Sequence, residues 1–217
     1  YSKINWSLKS MIKGLKICGV SDPETLEFIV NHHYPPDYIG FIINYEKSRR
    51  FVDYEKLKIL LKANKKKSNF VAVMVKPSDE FLKKIENLNF DYYQLYDVSP
   101  EKTKKIKKKN KVKIISAITI KKKEDVYKYK DYLDISEIIL FDGMGYEKSI
   151  GFNHDLLNDL PSSLNKMIAG DIKIEDIPRF KSKDFIIDIS GSLENDQGKK
   201  DIEKIDNLLN LVKQIWN

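Results

Sequence analysis

The segment FVAVMVKPSDEFLKKIENLNFDYYQLYD, residues 70–97, contains the repeating unit from which the fold can be predicted. It opens with the apolar run FVAVMV (70–75) and closes with a second strand-like run, YYQLYD (92–97). Residues 79–88 lie between them and combine lysine and glutamate with apolar residues at helical spacing. Runs that are apolar on both faces are typical of parallel strands covered by helices, so the segment predicts a strand–helix–strand unit.

The same alternation continues in both directions along the chain. Strand-like runs occupy residues 15–19, 38–43, 70–75, 92–97, 113–118, 137–142, 166–170 and 185–190. Helix candidates occupy residues 23–33, 54–66, 79–88, 100–109, 123–132, 154–160, 174–180 and 200–216. The fourth candidate has Ser99 as a predicted N-cap and Pro100 at its first position. Strict alternation predicts a parallel sheet joined by right-handed crossovers.

Eight repeats favour closure of the sheet into a barrel. We therefore expect an α/β protein with a single-domain (βα)8 TIM barrel over residues 14–217, preceded by an N-terminal extension or lead-in over residues 1–13. An open, doubly wound sheet is the alternative. The sequence lacks the G-x-G-x-x-G signature of dinucleotide-binding sheets after its first strand, which weakens that alternative.

Composition limits where the protein works. No stretch approaches the roughly 20 apolar residues of a membrane helix, and the first residues lack the apolar core of a secretion signal. The single cysteine excludes an internal disulfide and a zinc site built from several thiolates. We therefore expect a cytoplasmic protein that has no membrane partner.

The net charge of +7 comes mostly from lysine, since the chain has only three arginines. The densest basic run covers residues 104–113, and no aromatic residue interleaves its lysines. Nucleic-acid readers usually rely on arginine and on aromatic stacking, so we predict no nucleic-acid partner and interpret the run as a solvated surface.

Chemistry in such barrels is found where the strands end in their carboxyl-terminal loops. Cys18 and Asp142 end the first and sixth strands, on different sides of the mouth, where a thiol and a carboxylate can flank one small ligand. Small residues follow strands seven and eight, where barrels commonly hold phosphate. Further candidates are the segments Ala169-Gly170 and Asp188-Ile189-Ser190-Gly191, which end strands seven and eight, and Lys47-Ser48-Arg49-Arg50 in the loop after strand two. Taken singly, Cys18 could equally be a small core residue, and either aspartate a turn former.

Four motifs at strand ends resemble the phosphoribosylanthranilate isomerase family, in the order in which that family has them. They are LKICGV (15–20) followed by SDPE, GFIINYEKSRRF (40–51), IILFDG (138–143) and FIIDISGSLENDQGKKD (185–201). The resemblance covers nearly the whole chain and implies an enzyme of tryptophan biosynthesis. That enzyme rearranges N-(5-phosphoribosyl)anthranilate to 1-(o-carboxyphenylamino)-1-deoxyribulose 5-phosphate, without a cofactor or a metal.

The resemblance also implies roles for individual residues. Asp142 matches the family's general acid and Cys18 its general base, and each such proton transfer contributes about 10²–10⁴-fold to rate. Arg50 matches the ligand of the anthranilate carboxylate, and Asp188 the aspartate that positions the aniline end. The expected partner is one small phosphosugar, and a monomer is the default state.

The departures from the family pattern cluster at the predicted phosphate site. Asp171 stands where the family usually has a second glycine, and the turn after strand eight reads Ser190-Gly191-Ser192 where Ser-Ser-Gly is usual. Tyr96-Asp97 replace the usual His-Gly after strand four. The chain is therefore expected to be a divergent member.

Two main hypotheses follow from these departures. One is a working isomerase with an altered phosphate site, assisted by Lys148 or Lys173. The other is a non-catalytic or repurposed barrel that binds a related phosphosugar or a protein. A third, another phosphosugar isomerase with paired aspartates, is disfavoured by the cysteine on strand one.

Overall fold

The computed structural model describes residues 13–146, 150–181 and 183–216. Its eight strands are all parallel and pair in chain order, and the last strand pairs with the first to close a barrel. The strands are β1 Gly14–Cys18, β2 Tyr38–Ile42, β3 Asn69–Val75, β4 Tyr92–Tyr96, β5 Lys113–Thr119, β6 Ile138–Asp142, β7 Lys166–Ile168 and β8 Ile186–Ile189. The predicted barrel is confirmed and the open sheet is not formed. Of the predicted lead-in, residues 1–12 lie outside the described part of the chain.

Within the described residues, five α-helices cover the barrel: α1 Pro23–Asn31, α2 Tyr54–Leu60, α3 Asp79–Ile85, α4 Pro100–Asn110 and α5 Ile202–Trp216. Each of the first four begins at a side-chain cap, from Asp22, Asp53, Ser78 and Ser99, which confirms the cap predicted at Ser99. Across the described residues, no helix has both the length and the apolar character needed to cross a membrane.

The segments after β5, β6 and β7 differ from the α-helices predicted there. They form 3-10 helices at Lys123–Tyr132, His154–Leu157 and Ile174–Phe180. Before the first, the Asp125 carboxylate accepts the backbone N–H groups of Lys121 and Lys122, which tightens the turn. Pro178 lies inside the third and has no N–H to donate to a helical bond. A fourth short 3-10 turn, Gly191–Leu193, follows β8 and was not predicted.

The strand residues alternate between two apolar layers. In β3, Phe70, Ala72 and Met74 pack outward against the helices, whereas Val71 and Val73 belong to a separate cluster inside the barrel. This alternation follows from the pleat of the strand, and burial of both faces explains the continuous apolar runs.

At the amino-terminal end of the barrel, carboxylate side chains form hydrogen bonds between neighbouring strands. An acidic residue just before β2, β4 or β6 accepts the N–H of a residue at the start of β1, β3 or β5, at 2.7–2.8 Å. The pairs are Asp37 with Leu15, Asp91 with Phe70, and Glu137 with Ile114. These contacts fix the register at the end opposite the mouth, where the candidate site residues lie.

Candidate active site

A cleft of about 740 Å³, including its open mouth, lies at the carboxyl-terminal ends of the strands. All seven predicted site residues line it: Cys18, Arg50, Asp142, Gly170, Asp188, Ser190 and Gly191. The structure therefore brings together residues that are up to 173 positions apart in the sequence, from Cys18 to Gly191. Six of them lie at or just after the ends of β1, β6, β7 and β8, and Arg50 lies in the loop after β2, as the barrel topology leads one to expect.

Cys18 ends β1 and is buried beside the neighbouring strand β2. A glycine at position 40 makes room for it, because a Cβ atom there would lie 2.9 Å from Cys18 Sγ and 3.2 Å from Lys16 Nζ. Burial raises the pKa of the Cys18 thiol above its ordinary value, and the ammonium of Lys16 opposes that rise. The thiol is thus a strong base once ionised, but only a minority of it is ionised at neutral pH.

Lys16 is fully buried inside the barrel, where its Nζ donates to Asp188 Oδ2 at 2.8 Å. Burial disfavours the charged lysine, but the contacts with Asp188 and Cys18 raise its pKa above the usual value. Asp188 Oδ1 accepts no hydrogen bond within the part of the chain that the structure describes. It is an available acceptor on a residue that lines the cleft.

Asp142 ends β6, and both of its carboxyl oxygens accept a hydrogen bond. The Tyr96 hydroxyl donates to Oδ2 at 2.7 Å, and the Gly143 N–H donates to Oδ1 at 2.7 Å. Burial raises the pKa of Asp142 to about 6, with a smaller contribution from Asp188, while the Tyr96 hydrogen bond opposes the rise. A carboxyl group with that pKa is partly protonated near neutral pH and can donate a proton.

Arg50 reaches the cleft from the loop after β2, and its guanidinium is held by Glu194. Arg50 Nε donates to Glu194 Oε1, and Nη2 lies 3.3 Å from Oε2. The exposed Arg49 pairs with the same carboxylate. Glu194 accepts from Nε and Nη2 of Arg50, whereas the Nη1 group makes no hydrogen bond to the described residues. Nη1 is therefore available for an anion.

Lys200 connects this cluster to the turn after β8. Its Nζ lies 3.2 Å from Glu194 Oε1 and donates to the carbonyl of Ser190 at 2.9 Å. The Ser190 hydroxyl in turn donates to the carbonyl of Cys18 at 2.9 Å. Burial lowers the pKa of Lys200 to about 8, against the opposing charge of Glu194. One hydrogen-bond network therefore connects Cys18, the turn after β8 and Arg50.

The turns after β7 and β8 form the other end of the cleft. Gly170 has a φ of +91° and Asp171 a φ of +51°, so the aspartate adopts the left-handed conformation that glycine usually takes. The backbone N–H groups of Gly170, Asp171, Gly191 and Ser192 donate to no described residue. Such free amides suit an anion, but the exposed Asp171 brings a negative charge to the same place.

The sequence did not predict a role for several residues of the site. Lys200 contacts Ser190 and Glu194 within the closing motif, whereas Glu194 also pairs with Arg50 from the loop after β2. Tyr96 and Asp97, which depart from the family pattern, have partners in β6 and in the loop after it. The rings of Tyr45 and Tyr96 pack edge-on against Tyr146, with centroids 5.5 and 5.3 Å apart. Of the two lysines suggested as aids to phosphate binding, Lys173 is exposed and does not line the cleft, and Lys148 lies outside the described residues.

Comparison with known proteins identifies relatives over most of the chain. The family described as N-(5'phosphoribosyl)anthranilate (PRA) isomerase matches residues 15–211. The isomerase of Agrobacterium fabrum is 29% identical over 214 residues, covering 94% of this chain and 96% of its own. The isomerase of a Sulfurihydrogenibium species is 31% identical over 208 residues, covering 92% and 98%.

Solved structures of phosphoribosylanthranilate isomerases share the fold. Phosphoribosylanthranilate isomerase from Thermotoga maritima superposes with a TM-score of 0.80 at 22% identity, covering 92% of this chain and 98% of its own. A structure of such an isomerase in complex with reduced 1-(o-carboxyphenylamino)-1-deoxyribulose 5-phosphate gives 0.78 at 21% identity, with the same coverage. At these identities the likeness concerns the barrel alone.

Proposed function

Because the chain belongs to the N-(5'-phosphoribosyl)anthranilate isomerase family, we propose that it converts N-(5'-phosphoribosyl)anthranilate to 1-(o-carboxyphenylamino)-1-deoxyribulose 5-phosphate in tryptophan biosynthesis. The observation that carries this proposal is that a thiol and a carboxyl group with a pKa of about 6 line one cleft at the barrel mouth. The low identity to relatives and the altered phosphate turns mark it as a divergent member.

Asp142 acts first, as the general acid. Its carboxyl proton goes to the furanose ring oxygen, the bond from that oxygen to C1 breaks, and the nitrogen lone pair forms a C1=N bond. The product of this step is an open-chain Schiff base in its protonated form. Burial supports the role, because it keeps part of Asp142 protonated near neutral pH.

Cys18 acts second, as the general base. Its thiolate removes the C2 proton, the C–H electron pair becomes a C1=C2 bond, and the iminium nitrogen accepts the displaced pair. The resulting enolamine then gives its C2 hydroxyl proton to the Asp142 carboxylate and takes up at C1 the proton held by Cys18, so that C2 becomes the ketone carbon. The substrate and product are isomers, so the carboxyl and thiolate are both restored at the end of the cycle.

The remaining cleft residues hold the two ends of the substrate. Arg50 binds the anthranilate carboxylate through the guanidinium hydrogens that Glu194 leaves free. The open acceptor Oδ1 of Asp188 takes the aniline N–H. Gly170, Ser190 and Gly191, with the free backbone amides of their turns, bind the phosphate.

The reaction so written is an intramolecular aldose–ketose oxidoreduction, in which C1 is reduced and C2 oxidised. All protons are exchanged with Asp142, Cys18 and the substrate itself, so we propose that no cofactor or metal takes part. A cytoplasmic location and the absence of nucleic-acid or membrane partners are further proposals from composition, and a monomer is the default state.

Turnover of phosphoribosylanthranilate by the purified protein tests the proposal. Cys18→Ala and Asp142→Asn are each expected to lower kcat by about 10²–10⁴-fold. Expression in a tryptophan auxotroph that lacks this isomerase should restore growth for the wild type but not for either variant. Wild-type turnover no faster than that of the double variant would contradict the proposal.

One observation favours a second candidate, a non-catalytic or repurposed barrel with a weakened phosphate site that binds a related phosphosugar or a protein. The negatively charged Asp171 lines the same cleft as the free amides of the turns after β7 and β8. Binding of inorganic phosphate distinguishes the two: an ion at Gly170 and Gly191 at millimolar concentration supports the isomerase, and an empty site supports the second candidate.

A further inference from the structure

Tyr96 contacts the acid of the proposed reaction directly. It ends β4, its side chain lies inside the barrel, and its hydroxyl donates to Asp142 Oδ2 at 2.7 Å. Gln94, two residues earlier on the same strand, donates its Nε2 to the Tyr96 oxygen at 3.2 Å. Because the tyrosine oxygen already accepts from Gln94, its own proton is directed at the carboxyl group.

Tyr96 is itself held from the other side of the cleft. Its ring packs edge-on against Tyr146, in the loop after β6, with the centroids 5.3 Å apart. The Tyr146 hydroxyl donates to Asp97 Oδ2 at 2.6 Å, and Asp97 is the next residue after Tyr96. Burial and the Asp97 carboxylate raise the pKa of Tyr146, so the hydroxyl stays protonated as a donor. The two residues that replace the family's His-Gly are thus fixed by one contact network.

The two donors leave the Asp142 carboxyl with a defined orientation. One lone pair of Oδ1 is taken by the Gly143 N–H and one of Oδ2 by Tyr96. A proton on Asp142 must therefore occupy a remaining position on one of these oxygens, and Asp142 lines the cleft that the substrate would fill. Without the tyrosine hydroxyl, the carboxyl can turn about its Cα–Cβ and Cβ–Cγ bonds.

We propose that Tyr96 is a positioning residue for the general acid, whose hydroxyl holds the Asp142 carboxyl so that its proton is directed into the cleft. The hydroxyl also stabilises the carboxylate that remains once the proton has left. This inference rests on the proposed function for its catalytic meaning, but the contact itself can be tested without turnover.

The charged and titratable groups around Asp142 fix the direction of the expected change. Tyr96 from β4, Lys16 from β1 and the Gly143 N–H favour the carboxylate, whereas burial and Asp188 from β8 favour the acid. Removal of the Tyr96 hydroxyl should therefore raise the pKa of Asp142. Such a rise is a readout that a purely structural role of the tyrosine ring would not produce.

The test is Tyr96→Phe, which deletes the hydroxyl and keeps the ring packed against Tyr146. We expect kcat to fall about tenfold, as for loss of one hydrogen bond to a charged group, with KM within about twofold of wild type. Carbon-13 NMR of labelled aspartate should show Asp142 titrating at higher pH. The matched control is Tyr93→Phe, which deletes a hydroxyl from the same strand on the side that packs against the helices.

The outcomes distinguish a failure of the proposed isomerase function from a failure of the positioning role of Tyr96. A wild type without turnover would end the proposed function, and the NMR titration would still decide whether Tyr96 controls Asp142. Unchanged kcat in Tyr96→Phe would overturn the positioning role, whatever the titration shows. A fall in kcat without a change in the Asp142 titration, or an equal fall in Tyr93→Phe, would show only a structural effect and would also overturn it.

Discussion

The ammonium of Lys16 lies 2.8 Å from Asp188 Oδ2, and both side chains are buried inside the barrel. Lys16 lies two residues before Cys18 on β1, and Asp188 pairs with it from β8. This ion pair sets the electrostatic environment of the thiol: Lys16 favours the thiolate, and Asp188 disfavours it. The proposed base is therefore controlled by a pair of charges, one of which, Asp188, also lines the cleft.

Loss of Lys16 should destabilise the protein and also lower the fraction of Cys18 that is ionised at neutral pH. Lys16→Met leaves the buried Asp188 carboxylate without its partner, and we expect a loss of about 3 kcal/mol in the free energy of unfolding, measured with urea. The double variant Lys16→Met with Asp188→Leu should recover most of it, because no buried charge remains. The rate of Cys18 alkylation at neutral pH should also fall in the single variant. A single variant as stable as wild type would refute the prediction.

The pH dependence of kcat/KM should show a broad plateau. In the proposed mechanism the active form has Asp142 protonated and Cys18 as the thiolate. Below the Asp142 pKa of about 6, Asp142 stays protonated while the thiolate grows tenfold per pH unit, so kcat/KM rises. Between that pH and the raised pKa of Cys18 the two fractions change in opposite directions and cancel. Above the Cys18 pKa, loss of the acid dominates and kcat/KM falls.

The residual activity of Asp142→Asn checks the assignment of that plateau. Without the titrating acid, only the thiolate fraction changes, so the residual kcat/KM should keep rising through neutral pH. The measurement is the profile of both proteins from about pH 5 to about pH 10. A variant profile that stays flat across neutral pH would show that Asp142 is not the acid.

The sequence predicted the barrel because its strands are apolar on both faces and end in distinctive residues. The predicted strand ends at Cys18 and Asp142 agree with the structure to within one residue. The helical pattern after β5, β6 and β7 was misleading. Spacing of apolar residues does not distinguish an α-helix from a 3-10 helix when a side chain such as Asp125, or a residue without an N–H such as Pro178, alters the backbone hydrogen bonds.

The site was predicted less completely than the fold. Positions at strand ends located the cleft, but partner choice depends on geometry across the barrel. Tyr96 and Asp142 are 46 positions apart, and Arg50 and Glu194 are 144 apart. No local pattern indicates which acid an arginine will meet, so Glu194 appeared only as part of a motif. The raised pKa of Asp142 likewise depends on burial, which composition does not report.

Replacement of Asp142 should stabilise the protein at alkaline pH while removing activity. The folded state raises the carboxyl pKa from 3.8 to about 6, so it binds a proton more tightly than the unfolded chain does. Its contribution to stability is complete below about pH 4 and is lost as the pH rises through about 6, a difference of about 3 kcal/mol. Asp142→Asn avoids that loss.

We therefore expect Asp142→Asn to be about 2 kcal/mol more stable than wild type at pH 8, since the amide replaces only part of the hydrogen bonding. The difference should shrink or reverse at about pH 4.5. Urea unfolding at both pH values measures it. The exposed Asp134→Asn serves as the control and should be nearly neutral at both. An advantage independent of pH would mean that the carboxyl is not strained by burial.

Arg50 and Arg49 allow a controlled test of the proposed binding site for the substrate carboxylate. Both contact Glu194, but Arg50 lines the cleft and Arg49 is exposed. Arg50→Lys loses the planar fork that pairs with Glu194 and a ligand together, so we expect KM to rise at least about tenfold with a smaller change in kcat. Arg49→Lys should leave KM within about twofold. Equal effects from the two would indicate that Glu194 pairing, rather than substrate contact, is what matters.

Asp171 provides the most direct test of the altered phosphate turn. Its backbone is left-handed, the residue is exposed, and it lines the same cleft as Gly170 and Gly191, whose amides donate to no described residue. Like charges about 4 Å apart in water repel by about 1 kcal/mol, so removal of the aspartate charge should lower KM by about three- to tenfold at low salt. Asp171→Asn removes the charge and tolerates the same backbone, whereas Asp171→Gly also relieves any conformational cost.

The two variants separate charge from conformation. If charge is the cause, Asp171→Asn and Asp171→Gly should lower KM equally, and the gain should disappear at about 1 M salt. If the backbone is the cause, only the glycine variant improves, and salt has no effect. Asp184→Asn is the control, because Asp184 is also left-handed and half exposed but precedes β8, at the opposite end of the barrel from the cleft. A KM that none of these variants changes would mean that the phosphate binds out of reach of residue 171.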